Sequence, residues 1–403
     1  MIESIERADP PTDVVRRHLA LMSSVGSSPP FAGNKVTLFT SGGEAYAAIF
    51  ESILAAGDHI NMESFSIDHD RIGADLMDAL LRKRGDGVDV NLIYDSMGCF
   101  ETPGSYFLRL EEAGVQTVEF SPVNPLKAGC SWDLNHRNHR KVLIVDGATA
   151  FTGSVNYGKI HAKRKGRRKR VDPLKVWEDT HIRIDGPAAA EFQRLFIDAW
   201  ARGDGPKLPR RKYFPLLKEE GNEVVQVLGN KPGEKNRVTY MAYLSAIMHA
   251  SNFVYLHTPY FVPDDQLRGV LCDTAKRGVD VRVLVPWKSD WDISLHAGRI
   301  HYEELLRAGV KLYQSRGPMP HGKYAIVDGV WSTVGTSNLN MRSLLDDDEI
   351  DAVIFGPEFA GKLAAVFERD IEDADRVILE EWRGRSTPQR LKEWFAHLIE
   401  RWL

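Results

Sequence analysis

One pattern constrains this chain more than any other. His139-Arg140-Lys141 is followed by four residues and Asp146, and His321-Gly322-Lys323 is followed by four residues and Asp328. Both copies continue in step: Asp146 lies seven residues before Gly153, and Asp328 seven before Gly335. The glycines open Gly153-Ser154-Val155-Asn156 and Gly335-Thr336-Ser337-Asn338. One copy would be a weak signal, whereas two copies with the same downstream punctuation identify an internal duplication. Such a chain must fold as two like halves, and its 403 residues suit two domains of roughly 150–200 residues each.

The flanking pattern repeats as well. In the first half, segments 36–39, 59–67, 88–94, 115–120 and 141–145 read as strands, and 44–56, 72–84 and 107–113 as helices. In the second half, 224–228, 253–257, 281–285 and 311–314 read as strands, and 239–250, 264–277 and 302–308 as helices. Strands alternating with helices predict a mostly parallel or mixed sheet covered on both faces. The expected domains are a leader at 1–34, with a short amphipathic piece near Val14–Met22 and then a Ser- and Pro-rich loop, a first domain at 35–205, a linker at 206–222, a second domain at 223–380 and a C-terminal amphipathic helix at 381–403. The Gly-, Pro- and Lys/Arg-rich stretch 202–221 places the boundary near residue 210.

Residues two apart on a strand share a face and odd offsets do not. His139 and Lys141 therefore point one way, as do His321 and Lys323. Asp146 and Asp328, seven positions on, point the other way and read as scaffold within the two candidate catalytic triads. By the same rule Ser154 shares a face with Asn156, and Thr336 with Asn338, as candidate substrate-binding groups. Two imidazoles, two ammoniums, hydroxyls and amides form a set for an oxyanion such as a phosphoryl group, with no metal or cofactor expected. Imidazole can attack phosphorus in one step and act as acid or base in another. A nucleophilic histidine needs its ring oriented by a carboxylate. Asp179 and Glu349, each seven residues before a glycine (Gly186 and Gly356), are the equivalent histidine-orienting candidates, one in each half. Asp179 is read as the partner of His139, with Glu178 as the alternative.

At these residues the chain resembles the phospholipase D superfamily, whose two halves pack so that both motifs form one active site. The similarity to its bacterial cardiolipin synthase branch extends over nearly the whole chain. It is carried further by His257-Thr258-Pro259-Tyr260-Phe261-Val262-Pro263, Arg277-Gly278-Val279-Asp280-Val281, the segment 302–309 and Arg342-Ser343. The resemblance implies two homologous α/β/α sandwich halves in a pseudo-dimer, His139 as the residue that becomes phosphohistidine, and His321 as general acid. It also implies phosphatidyl transfer joining two phosphatidylglycerol molecules into cardiolipin and glycerol. Hydrolysis by a phospholipase D is the alternative, and a superfamily nuclease a further one. The sequence departs from that branch at Gly153-Ser154, where two glycines are usual, and at Asp347, where Asn is usual. It also lacks the N-terminal transmembrane pair of the longer synthases.

Composition limits the setting. The net charge of −4 gives no general affinity for polyanions. Cys99, Cys130 and Cys272 form no CxxC or Cys/His cluster, which fits a reducing compartment and argues against a disulfide framework or a zinc site. The acidic N-terminus has no apolar core, so it does not read as a signal peptide, and no window approaches 18 consecutive apolar residues. A cytoplasmic protein peripheral to the inner face of the cell membrane is expected. Its partners would be an anionic phospholipid surface and phosphatidylglycerol, not nucleic acid. Asn156 to Asp179 spans 23 positions against 11 from Asn338 to Glu349. The extra stretch holds seven basic residues in eight at 163–170, read either as a solvated loop or as attraction to lipid head groups, about 1 kcal/mol per cation. At the C-terminus, Leu391, Trp394, Phe395, Leu398, Ile399, Trp402 and Leu403 form one stripe, either docked on the core or lying in a membrane interface.

Overall fold

The computed structural model describes residues 13–124, 136–158, 177–231 and 237–402; the basic segment 163–170 lies outside them. Among the described residues one 15-stranded mixed sheet runs through the molecule. At its seam β1 (Phe31–Phe39) pairs antiparallel with β9 (Glu223–Asn230), Asn34 facing Glu223. Outward from β1 lie β8 (His181–Asp185), β6 (Thr149–Gly153), β5 (Val142–Val145), β2 (His59–Ser64), β3 (Asp89–Asp95) and β4 (Gln116–Phe120). Outward from β9 the same order recurs as β18 (Glu349–Phe355), β16 (Trp331–Gly335), β15 (Tyr324–Val327), β10 (Phe253–His257), β12 (Asp280–Pro286) and β13 (Lys311–Ser315). β19 (Ala374–Arg376) extends that edge. The duplication is thus one pseudo-symmetric sheet, with each motif opening an antiparallel hairpin, β5–β6 or β15–β16.

Alternation along the strands sorts side chains to two faces. Leu143 and Val145 enter one core with helices Gly42–Ala55, Arg71–Gly85 and Gly104–Glu112. Val142 and Ile144 enter the opposite one, which spans the seam. There Phe192, Leu195 and Phe196 of helix Ala189–Arg202 and Phe359, Leu363 and Phe367 of helix Pro357–Glu372 share contacts with Ile182, Ile326 and Ile350. Burial on both faces leaves every residue of β3 and β18 buried, Asn91, Glu349 and Asp351 among them.

The two terminal segments have structure of their own. Within the 1–34 leader, helix Asp13–Ser24 packs Val14, Val15 and Met22 into the core of the second half. Its buried His18 lies 2.8 Å (Nε2) from Gln226 Oε1 and accepts the Trp331 indole N–H at 3.2 Å, while burial lowers its pKa to about 4. The amphipathic stretch was visible in the sequence, but a partner more than 200 residues away was not. The C-terminal segment is not one helix. Leu379–Arg383 stops at Gly384, Thr387–His397 starts anew with a proline in its first turn, and Glu400–Trp402 forms a last turn.

Candidate active site

Both motif histidines sit just before a hairpin, at the end of the sheet where β2 and β10 finish. β5 and β15 run antiparallel to those strands, Val142 facing Glu63 and Tyr324 facing His257. The lead-in to each histidine is tied to the other half through its backbone. Asn138 bridges Asp348, and the His139 N–H donates to the Asp348 carbonyl at 3.0 Å. Symmetrically, β14 (Met319–Pro320) pairs with β7 (Trp177–Glu178), and the His321 N–H donates to the Glu178 carbonyl at 2.8 Å.

Each tie places the next residue, a carboxylate, against the facing histidine. His139 Nδ1 lies 2.9 Å from Glu349 Oε1, and His321 Nδ1 lies 2.8 Å from Asp179 Oδ1. The carboxylates are therefore exchanged between halves, which corrects the reading of Asp179 as partner of His139. Glu178 contributes its carbonyl to the bridge rather than a side chain to His139. With Nδ1 committed on both rings, reactivity falls to Nε2. The lysines are matched too: Lys141 Nζ donates to the His139 carbonyl and Lys323 Nζ to the His321 carbonyl, each at 2.8 Å.

Asp146 and Asp328 are not at this centre, which corrects their place in the catalytic triads. The Asp146 carboxylate accepts the N–H groups of Gly57, Asp58 and His59 at 2.8–2.9 Å. Asp328 accepts those of Ser251, Asn252 and Phe253 at 2.7–2.9 Å. Each occupies a turn with φ of 52° and clamps the start of β2 or β10, at the far end of the hairpin strand from the histidine.

The candidate substrate-binding groups divide. Ser154 is fully buried and donates to Asp179 Oδ1 at 2.7 Å, while Thr336 bonds Ile350 N–H and carbonyl. Both hydroxyls are hydrogen-bonded within the protein. Ser343, which the spacing did not single out, donates to Glu349 Oε1 and accepts the Asn338 N–H at 2.9 Å. Asn156 and Asn338 retain side-chain carbonyls without a hydrogen-bond partner. The motif glycines have a steric cause. A Cβ at Gly335 would overlap Asp351, and one at Gly153, where φ is 144°, would overlap the Thr180 carbonyl.

Other residues shape the centre. Fully buried Arg140, pointing away from His139, reaches the carbonyls of Glu349 (3.2 Å) and Asn230 (2.9 Å) and the carboxylates of Asp348 (3.4 Å) and Glu63 (3.7 Å). Arg202 grips Asp348 with two hydrogen bonds of 2.6 and 3.0 Å. The available signal was a charged residue between His139 and Lys141, which alternation sends to the opposite side. Phe65 lies edge-on to His139 at 4.8 Å, and Trp177 lies 4.2 Å from His321; no sequence signal marked either.

Burial dominates the electrostatics. It lowers the His139 pKa well below the ordinary value, helped by Lys141, Lys323 and Arg342, and raises that of Glu349 to about 8 against the pull of Lys141. Both shifts say that the imidazole–carboxyl pair resists separate charges at low solvation. Lys141 falls to about 8 through burial, and Lys323 falls well below the usual lysine range through burial and the facing Lys141 ammonium. Such a site gains most from a bound anion, which compensates the two crowded cations.

Residues 49–200 and 243–371 match the family described as cardiolipin synthase, PLD-like domain. The chain belongs to the cardiolipin synthase, PLD-like family. It is 32% identical over 384 residues to a cardiolipin synthase of Geobacillus thermodenitrificans (strain NG80-2), covering 94% of this chain and 75% of that one. It is 31% identical over 389 residues to cardiolipin synthase 1 of Bacillus anthracis, covering 94% and 74%. Among solved structures, phosphatidylserine synthase of Haemophilus influenzae Rd KW20 superposes with a TM-score of 0.69 at 16% identity, covering 96% of this chain and 100% of that one. The fold is accordingly the two-half phospholipase D architecture, and no helix among the described residues is long and apolar enough to cross a membrane.

Proposed function

We propose that the chain is a phosphatidyltransferase that joins two phosphatidylglycerol molecules into cardiolipin and glycerol. The observation that supports it is the pair of imidazoles, each held at Nδ1 by a carboxylate of the other half, with two lysines beside them. His139 Nε2 attacks the phosphorus, the bond to the glycerol oxygen breaks, and His321 gives that oxygen its proton. His321 then removes a proton from the hydroxyl of a second phosphatidylglycerol, whose oxygen attacks the phosphorus and displaces His139. Lys141 and Lys323 neutralise phosphoryl oxygens, and the amides of Asn156 and Asn338 donate to them. Glu349 and Asp179 fix the rings and balance imidazolium charge as it forms.

An anionic bilayer is the proposed second partner. Leu391, Trp394, Phe395 and Leu398 are each about half or more exposed on the C-terminal helix, a stripe rich in interfacial anchor residues. Helix Asp292–Arg299, on which that helix packs, follows β12, so the stripe lies towards the end of the sheet that holds the histidines. Trp287 and Trp291 are also exposed on this side. Incubation with phosphatidylglycerol vesicles tests the reaction: cardiolipin and free glycerol are expected, and added glycerol should reverse it. Phosphatidic acid without cardiolipin would replace this reading by hydrolysis.

A further inference from the structure

Away from the catalytic centre, a second group of titratable side chains converges where the C-terminal segment meets the second half. His301 Nε2 is 2.9 Å from Glu400 Oε2, and His397 Nδ1 is 2.7 Å from the same oxygen. The three potential ligand atoms lie within 4.8 Å of one another, with the imidazole rings 80° apart. His301 immediately precedes helix Tyr302–Ala308 in the body of the second half, whereas His397 ends helix Thr387–His397. Glu400 follows three residues later, one turn on, so it and His397 share a face. His301 is buried, while His397 and Glu400 are 41% and 24% exposed, which leaves the group reachable from water.

We propose that His301, His397 and Glu400 form a binding site for a zinc-class divalent cation, which clamps the C-terminal helix to the second half. Two imidazole nitrogens and one carboxylate oxygen suit zinc or its late first-row neighbours and not magnesium or calcium, which take oxygen donors. Metal–ligand bonds of about 2.0–2.2 Å set tetrahedral ligand atoms about 3.3 Å apart. The two nitrogens stand 2.7 and 2.9 Å from the Glu400 oxygen and within 4.8 Å of each other, so metal entry would open the first two separations by about half an ångström and close the third by at most about 1.5 Å. Three protein ligands leave a fourth position for water, so the ion exchanges instead of being locked in. Without metal, one carboxylate oxygen serves both imidazoles, and those contacts hold the Glu400 pKa below its ordinary value against burial.

The clamp has something to hold. Thr387–His397 packs on helix Asp292–Arg299, placing Ala396 in a small apolar cluster with Val262 and Ala297, burying Glu393 and bringing Gln389 within 3.2 Å of His296, while Leu391, Trp394 and Phe395 remain about half or more exposed.

The test uses the full chain, stripped with a chelator and titrated with zinc chloride by calorimetry. One saturable ion per chain is expected, with hydrogen exchange slowed across residues 387–402 and intense visible absorption on cobalt substitution. His397→Ala and Glu400→Gln should abolish all three effects and leave turnover of a soluble short-chain phosphodiester unchanged. Glu400→Gln keeps size and hydrogen-bonding capacity, and an unchanged circular dichroism spectrum separates lost binding from lost folding. Absence of saturable uptake, or uptake undiminished in the double variant, would overturn the site. Neither outcome bears on phosphatidyl transfer, which depends on residues elsewhere.

Discussion

Glu349 and Asp179 differ from ordinary orienting carboxylates because each belongs to the half opposite its histidine. A repeat alignment could select both residues, since each lies seven positions before a glycine. It could not reveal the exchange, because spacing within a half says nothing about how two halves pack. The exchange makes separable predictions. Glu349→Gln should prevent label from accumulating on His139 when an activated short-chain diester is supplied. Asp179→Asn should allow labelling and slow turnover on the order of 10²–10⁴-fold, because the acid–base histidine is then misoriented. If Asp179→Asn blocked labelling and Glu349→Gln did not, the exchanged assignment would fail. The pH dependence follows from the same pair. Below about 8 the Glu349 carboxyl keeps its proton and cannot accept Nδ1–H; above it, the carboxylate accepts and Nε2 presents its lone pair. Thus kcat/KM for a soluble diester should climb as pH rises towards about 8, and Glu349→Gln should lose that limb along with most of the rate.

At the level of elements, period-two alternation and punctuation exposed most strands that border the motifs, and Phe253–His257 and Tyr302–Ala308 were read without error. Helices Ala189–Arg202 and Pro357–Glu372 were not read, although they carry the core that joins the halves. Their roles depend on contacts made across the seam, which local periodicity cannot report. The motif aspartates show the converse, since offset parity alone places them off the reactive face. Each gathers three backbone N–H groups at the start of a neighbouring strand, so their loss should be felt as stability. Asp146→Ala or Asp328→Ala should cost about 1–3 kcal/mol, because the donors are left without an acceptor. Urea unfolding checks the magnitude. The fraction of folded enzyme labelled by an activated diester should stay at the parent level, and its collapse would return the aspartates to the catalytic centre.

For the molecule as a whole, the apolar stripe and the catalytic centre occupy the same end of one sheet, so adsorption and chemistry should be separable by mutation. Trp394→Glu with Phe395→Glu should reduce sedimentation with phosphatidylglycerol vesicles by at least tenfold and leave turnover of a soluble short-chain diester near the parent value. Equal loss of both would mean that the helix supports the active site instead of the bilayer contact. Arg140 and Asp348 bind the halves through a buried ion pair that the partly exposed Arg202 extends, and Phe192, Phe196, Phe359 and Phe367 bind them through shared apolar area. The traded carboxylates give this seam an importance beyond adhesion. A half expressed alone carries a histidine whose partner is on the missing polypeptide, so it is inert for want of geometry, not of functional groups. Two inactive polypeptides, one carrying Glu349→Gln in an otherwise intact chain and the other supplying an intact second half, could regain activity only by exchanging that half. Fusing the two copies in one chain thus acts as a pairing rule: it guarantees one-to-one stoichiometry for two dyads, and it frees aspartate and glutamate to specialise in different steps of one reaction.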